Sequence, residues 1–150
     1  MIALCGLTNH DNVGGVFRNA AAFGAGAVLL DRASCDPLYR KAVRVSVGGS
    51  IVVPFGWCDD ETACVEALAS RGFTVVALSP GGTLEIGRDP PPPGKLALLL
   101  GAEGPGLSAT TLARCTTARI PMRPHWDSLN VAAASAIALH WGTPSSHLSR

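Results

Sequence analysis

Short apolar runs recur along the chain, and between them lie longer stretches in which apolar residues return at helical spacing. Ile2 to Leu7 reads as a buried strand, and Asn9 to Asn12 supply capping side chains for an alanine-rich helix from Val13 to Phe23 that Gly24 stops. Ala27 to Leu30 predicts a second strand, ending at Asp31. A basic segment, Leu38 to Val45, predicts a short helix, and the β-branched run Ile51 to Val53 after Gly48-Gly49 predicts a strand. Asp59 and Asp60 open a further helix, with acidic residues where the helix dipole favours them, and it runs through Leu68 to Gly72. Phe73 to Leu78 is the next strand, followed by a turn at Ser79 to Gly82 and a stiff polyproline loop at Pro90 to Pro93. Lys95 to Leu100 is the most apolar strand. Beyond it come the turn Gly101 to Gly106, a helix that Ser108 caps and that runs to Cys115, a strand from Ala118 to Met122, and a final helix from Ser128 to Trp141.

Strand and helix alternate about six times, which predicts an α/β fold, a mostly parallel sheet with helices on both faces. In such sheets ligands bind beyond the carboxyl ends of the strands. Three polar or glycine-rich segments fall there, Thr8 to Asn12, Gly101 to Gly106 and Arg123 to Asn130, and their convergence locates the candidate site. No repeat or internal boundary divides the chain. Residues 1–142 read as one domain and residues 143–150 as a frayed tail.

Composition changes this picture in three places. Hydrophobic residues make up 47% and charged ones only 15% of the 150 residues, against roughly 25% charged in an average domain. So few charges point to a compact alanine-rich core together with a subunit interface. The formal net charge of +1 neither supports nor excludes a nucleic-acid partner. Basic residues do cluster, at Arg32, Arg40, Lys41 and Arg44 and again at Arg114, Arg119 and Arg123, and each cluster alone reads as a solvated face. The five cysteines, Cys5, Cys35, Cys58, Cys64 and Cys115, form no C-x-x-C pair, which predicts reduced thiols in a cytoplasmic protein rather than a disulfide framework or a zinc site. Gly, Pro, Asp or Arg interrupts every apolar run before the length that a membrane span needs.

The turn Gly101-Ala-Glu-Gly-Pro-Gly106 lets a ligand approach the backbone closely. Its spacing is not that of the dinucleotide fingerprint, and it lacks the lysine and hydroxyl residue that end a phosphate loop. Glu103 would repel phosphate and would suit a hydroxyl, an amine or a guanidinium. Arg18 stands in an otherwise small and apolar helix, where a guanidinium offers forked donors to a phosphate or an alkoxide and, in isolation, reads as a surface side chain. Asp127 and Ser128 are good caps for the last helix, which leaves the Asn130 amide free for a ligand or another side chain.

Together these segments resemble the SpoU (TrmH-like) branch of the SPOUT RNA methyltransferases. The matching motifs are Asn9-His-Asp-Asn-Val-Gly-Gly-Val-Phe-Arg-Asn-Ala-Ala-Ala-Phe-Gly24, Leu98-Leu-Leu-Gly-Ala-Glu-Gly-Pro-Gly-Leu-Ser108, and Ile120-Pro-Met122 followed by Asp127-Ser-Leu-Asn-Val-Ala-Ala-Ala-Ser135, in family order over about residues 1 to 140. The resemblance implies a C-terminal trefoil knot, a homodimer, and S-adenosyl-L-methionine bound against Leu78, Gly101, Ile120, Met122, Ser128 and Leu129. It implies a catalytic set of Asn12, Arg18, Glu103, Ser128 and Asn130 that transfers methyl to a ribose 2′-hydroxyl of tRNA or rRNA. Two departures stand out. Relatives often carry proline where this chain has His10-Asp11, and many carry an N-terminal RNA-recognition domain, whereas this chain opens at its first strand.

A ribose hydroxyl is a poor nucleophile at neutral pH, so the site must orient it and stabilise negative charge on its oxygen. The family role for Arg18 is proton acceptance. A guanidinium with a pKa above about 12 suits that badly, and Arg18 is read instead as an electrostatic clamp on the alkoxide and a neighbouring phosphate. His10, His125, His140 and His147 stay outside the catalytic set. The rival is a non-catalytic RNA- or cofactor-binding module that kept the fold. Retention of Arg18, Glu103 and Asn130 together favours catalysis, because binding alone would need none of them.

Overall fold

The computed structural model describes residues 1–126 and 128–144. The chain runs β1 (Ile2–Leu4), α1 (His10–Ala22), β2 (Val28–Asp31), α2 (Arg40–Val45), α3 (Gly49–Val52), β3 (Phe55–Cys58), α4 (Glu61–Ala69), β4 (Thr74–Leu78), β5 (Leu84–Glu85), β6 (Leu96–Leu100), α5 (Ala109–Arg114), β7 (Thr116–Arg119) and α6 (Val131–Gly142). All seven strands join one parallel sheet in the order β3-β2-β1-β6-β4-β7-β5.

Strands buried on both faces must be apolar throughout, and side-chain alternation sorts them into two cores. Ile2, Leu4, Val76, Leu98 and Leu100 point to one face and pack with Val13, Val16 and Phe17 of α1 and Ala138 and Leu139 of α6. Ala3, Val75, Ala77, Ala97 and Leu99 point to the other, against Cys64, Val65 and Leu68 of α4. No helix of the described residues is long and apolar enough to cross a membrane.

The structure departs from the sequence expectation at several points. Ile51 to Val53 is not a strand. Gly48, at φ 82°, opens a helical turn in which Ile51 N–H donates to Gly48 C=O, and Gly49 packs so tightly on Phe17 C=O that a side chain there would collide with it. The strand comes later, at Phe55–Cys58. The strand expected over Ala118 to Met122 lies at Thr116–Arg119 instead, because its pairing with β4 and β5 ends before Pro121, which has no N–H to donate. Cys58 and Cys64 are joined as a disulfide, correcting the expectation of five reduced thiols: the turn at Asp59-Asp60 folds α4 back on β3 and brings their Cα atoms to 5.5 Å. Asp127 as a cap and residues 145–150 of the tail lie outside the described residues.

Cys5, Cys35 and Cys115 are free. Burial pushes all three thiols up, and Cys5 furthest, since it is the most deeply buried and Asp31, Glu61 and Asp60 add their negative charge. Cys5 is 4% exposed. At pH 8 it should resist iodoacetamide in the folded protein and react on unfolding in urea; peptide mapping that finds equal alkylation in both states would contradict this packing.

The connection from β4 to β5 is unusual. Leu78 and Leu84 lie opposite the same residue, Ala118, on the two sides of β7. Residues 79–83 therefore pass round β7, and Gly82 presses against the Ala118 and Arg119 backbone where a Cβ has no room. Ser79 N–H donates to Ala118 C=O at 3.0 Å, Arg119 Nη1 donates to Gly82 C=O at 3.0 Å, and Arg119 Nη2 pairs with Glu85 Oε2 at 2.8 Å. β7 is held by backbone and side chain alike.

Candidate active site

The carboxyl ends of β1, β4 and β6 face the N-termini of α1 and α6. Each loop there is braced from its own sequence. Asp31, 5% exposed, accepts from Gly6 N–H at 2.9 and 3.0 Å through its two oxygens and from Ser34 Oγ at 2.7 Å, which fixes the loop between β1 and α1. Asn9 caps α1 by accepting from Asp11 N–H at 2.8 Å. After β6, Gly106 N–H donates to Ala102 C=O at 3.1 Å and closes the glycine turn. A Cβ on Gly101 would stand 2.6 Å from the Gly106 and Leu107 backbone, while Gly104 and Gly106, at φ 92° and 67°, open onto free space. Only glycine fits the first position, and the other two leave backbone accessible to a ligand.

Asn130 joins the three loops. Its Oδ1 accepts from Ala132 N–H at 2.9 Å and from Ala133 N–H at 3.4 Å, capping α6. Its Nδ2 donates to Asn12 Oδ1 at 2.9 Å and to Glu103 Oε1 at 3.4 Å. Asn12 is nearly buried, at 6% exposed, so its carbonyl oxygen is satisfied by a partner on another element. The Asn130 amide holds another side chain as expected, through its Nδ2, while its Oδ1 takes the capping role expected of Asp127 and Ser128. The helix starts at Val131 rather than at Ser128, and one side chain both caps it and ties Asn12 to Glu103.

Below this cluster lies a cavity of about 690 Å³. All six residues expected to hold the cofactor line it: Leu78, Gly101, Ile120, Met122, Ser128 and Leu129. Glu103 and Asn130 line it as well. Its walls are apolar where Leu78, Ile120, Met122 and Leu129 meet, and polar at Ser79, Ser128 and Glu103. Among the described residues, Glu103 is the one carboxylate on its lining. Such a chamber accepts a flat heteroaromatic group between aliphatic walls and a cation near a carboxylate.

Arg18 is not brought to this chamber. It is exposed on α1, is absent from the cavity lining and has no hydrogen bond or ion pair among the described residues. Two residues unnoticed in the sequence hold α1 against α6. Asn19 Nδ2 donates to Ala132 C=O at 2.7 Å and to Ser135 Oγ at 2.9 Å, and Gly15 lies where a Cβ would be 2.6 Å from that of Ala132. The Gly14-Gly15 pair inside a helix was the available signal, since glycine costs a helix about 1 kcal/mol unless close packing requires it.

The model of the SpoU rRNA methylase family matches residues 1–140. The chain is 41% identical over 151 aligned positions to an uncharacterized tRNA/rRNA methyltransferase of Mycobacterium tuberculosis, covering 95% of this chain and 51% of that protein. It is 34% identical to a 23S rRNA (guanosine-2′-O-)-methyltransferase of a Burkholderia species, covering 93% of this chain and 56% of that protein. Among solved structures, an AdoMet-bound rRNA methyltransferase from Sinorhizobium meliloti superposes with a TM-score of 0.88 at 28% identity, covering 99% of this chain and 56% of that one. The chain spans about half the length of the curated relatives it matches. With the parallel sheet, the glycine turn and the Asn12–Asn130–Glu103 cluster in place, this match over residues 1–140 makes the chain a member of the SpoU rRNA methylase family.

Proposed function

We propose that the chain methylates a ribose 2′-hydroxyl of tRNA or rRNA, with S-adenosyl-L-methionine as donor. The observation that carries this reading is the Asn12–Asn130–Glu103 cluster at a cavity lined by all six residues expected to bind the donor. The 2′-O-methyltransferase among the relatives and the AdoMet-bound neighbour support it. When bound, the donor supplies an activated methyl group on a sulfonium. Leu78, Ile120, Met122 and Leu129 would enclose its apolar parts, and the open backbone around Gly104 and Gly106 would meet its polar edge.

The chain's own residues do the rest. Glu103 brings negative charge towards a sulfonium and has a carboxylate oxygen able to hold a hydroxyl proton. The Asn130 amide, 3.4 Å from a Glu103 oxygen, orients that carboxylate towards the helix terminus. Ser128 lies at the same mouth and can orient the ribose. Arg18 acts as the clamp on the oxyanion and a neighbouring phosphate, and reaches the site from a second copy in a homodimer. This is supported by its exposure, by its lack of a hydrogen-bond or ion-pair partner among the described residues, and by the exposed Val47, Ile51 and Val52 of the adjacent α2–α3 segment. The passage of residues 79–83 round β7 supports a C-terminal knot, the chain continuing from β7 into α6 through that loop.

Incubation with methyl-labelled S-adenosylmethionine and bulk tRNA or rRNA, followed by digestion to nucleosides, tests this reading. Label is expected in 2′-O-methylnucleosides; label confined to bases would overturn the ribose assignment.

A further inference from the structure

We infer that Tyr39, its ring tilted against that of His10, together with Arg40 and Arg44 forms a landing surface for the RNA strand beside the methylation site, the tyrosine receiving an unpaired base and the arginines its flanking phosphates. The inference rests on the proposed RNA substrate and names how that substrate is held. His10 opens α1 two residues before Asn12, and Tyr39 immediately precedes α2. Their ring centroids stand 4.3 Å apart at 40°, and Tyr39 is 56% exposed, so one face of the pair is open. A large aromatic held against a neighbour yet presented to solvent is a ready stacking platform, and unpaired RNA bases dock on such faces with little regard to sequence.

The mount is rigid. Cys35 N–H donates to Leu7 C=O at 2.9 Å, Leu38 N–H to Asp36 Oδ1 at 2.8 Å, and Pro37 between them is buried. Lys41 Nζ meets Asp11 Oδ2 at 2.7 Å, linking the start of α2 to the start of α1 and pairing the two charges with each other. That leaves Arg40 and Arg44, one helical turn apart on the same face, exposed and without an ion pair among the described residues. In the second basic group, Arg114 is paired with Glu66 and Arg119 with Glu85, which leaves Arg123 as its one arginine without an ion pair among the described residues. Two unpaired arginines beside an open aromatic fit a polyanion bearing bases. Self-docking of this patch would set Arg40 and Arg44 against their own copies, which disfavours a second copy as its occupant, and the dimer contact proposed above draws on the apolar Val47, Ile51 and Val52 instead.

Fluorescence anisotropy with a short, labelled, mixed-sequence single-stranded RNA tests the surface. Tyr39→Ala should weaken binding about tenfold, and Tyr39→Trp should restore it. The double variant Arg40→Ala/Arg44→Ala should lower the slope of log affinity against log salt by roughly 1.4. In steady-state assays Tyr39→Ala should raise KM for RNA and leave kcat at saturation. S-adenosylmethionine affinity, which reports the intact fold, should not change in any of these variants. Wild-type protein that binds the probe with variants that match it in affinity and salt slope would overturn this surface and leave the methyltransferase reading standing. A changed oligomeric state in Tyr39→Ala would overturn it in favour of an interface between copies. Wild-type protein that neither binds the probe nor methylates RNA would overturn both.

Discussion

Arg18→Ala should lower methyl transfer to RNA by about 100-fold to 1,000-fold while leaving donor affinity within about twofold. The magnitude is that of removing one preorganised donor from a developing oxyanion. The split between the two readouts follows from position. Arg18 lies outside the cavity lining, so its removal takes nothing from the donor's walls. It makes no hydrogen bond or ion pair among the described residues, so folding stability should move by no more than about 0.5 kcal/mol. Arg18→Lys should recover only part of the rate, because a point charge does not replace a planar fork. Single-turnover methylation with calorimetric titration of the donor measures both quantities. Unchanged turnover in Arg18→Ala would remove the residue from the mechanism.

Gly82→Ala should be the most damaging single-methyl change in the fold, costing about 3 kcal/mol or more. Residues 79–83 cross β7 at this point, and an added Cβ would enter the backbone of Ala118 and Arg119. Backbone on both sides is already fixed, by Ser79 N–H on Ala118 C=O and by Arg119 on Gly82 C=O, so neither strand can yield without losing its partner. The neighbouring Gly81 is the control. It has open space around it and no positive φ, and Gly81→Ala should be neutral within about 0.5 kcal/mol. Urea denaturation of the two variants measures the difference; equal midpoints would mean that the crossing is looser than described. The same substitution should weaken donor binding, since Leu78, Ser79, Ala118 and Ile120 line the cavity from this crossing.

Much of the site could be read in the sequence because its chemistry is local. Gly101 to Gly106 announces a tight turn after an apolar strand, and Glu103 within it is conspicuous for its charge. The six residues that the family resemblance assigns to the donor lie at or beyond the carboxyl ends of strands, where parallel sheets place ligands, and all six line one cavity. What could not be read depends on contacts between distant segments. Nothing near Asn130 shows that its amide spans from the cap of α6 to Asn12, 118 residues earlier. Asn19 looks like any polar residue on a helix until α6 lies against it. The β-branched run Ile51 to Val53 has the composition of a strand, and tertiary packing overrode it: Gly49 fits closely under α1 and starts a turn that leaves Ile51 68% and Val52 72% exposed. Two-residue β5 is too short to carry a period, and the Cys58–Cys64 bond depends on a turn whose direction the spacing does not encode. Arg18 is the reverse case. Its motif is plain, yet its own chain leaves it exposed and outside the cavity lining.

The most direct test is a crystal structure of the protein grown with S-adenosylmethionine. The donor should lie between the Gly101–Gly106 turn and the start of α6, its sulfonium on the side of Glu103 and Asn130, with Arg18 of a second protomer facing the same opening. A donor bound elsewhere, or Arg18 turned away from that opening in every subunit pairing, would contradict the account.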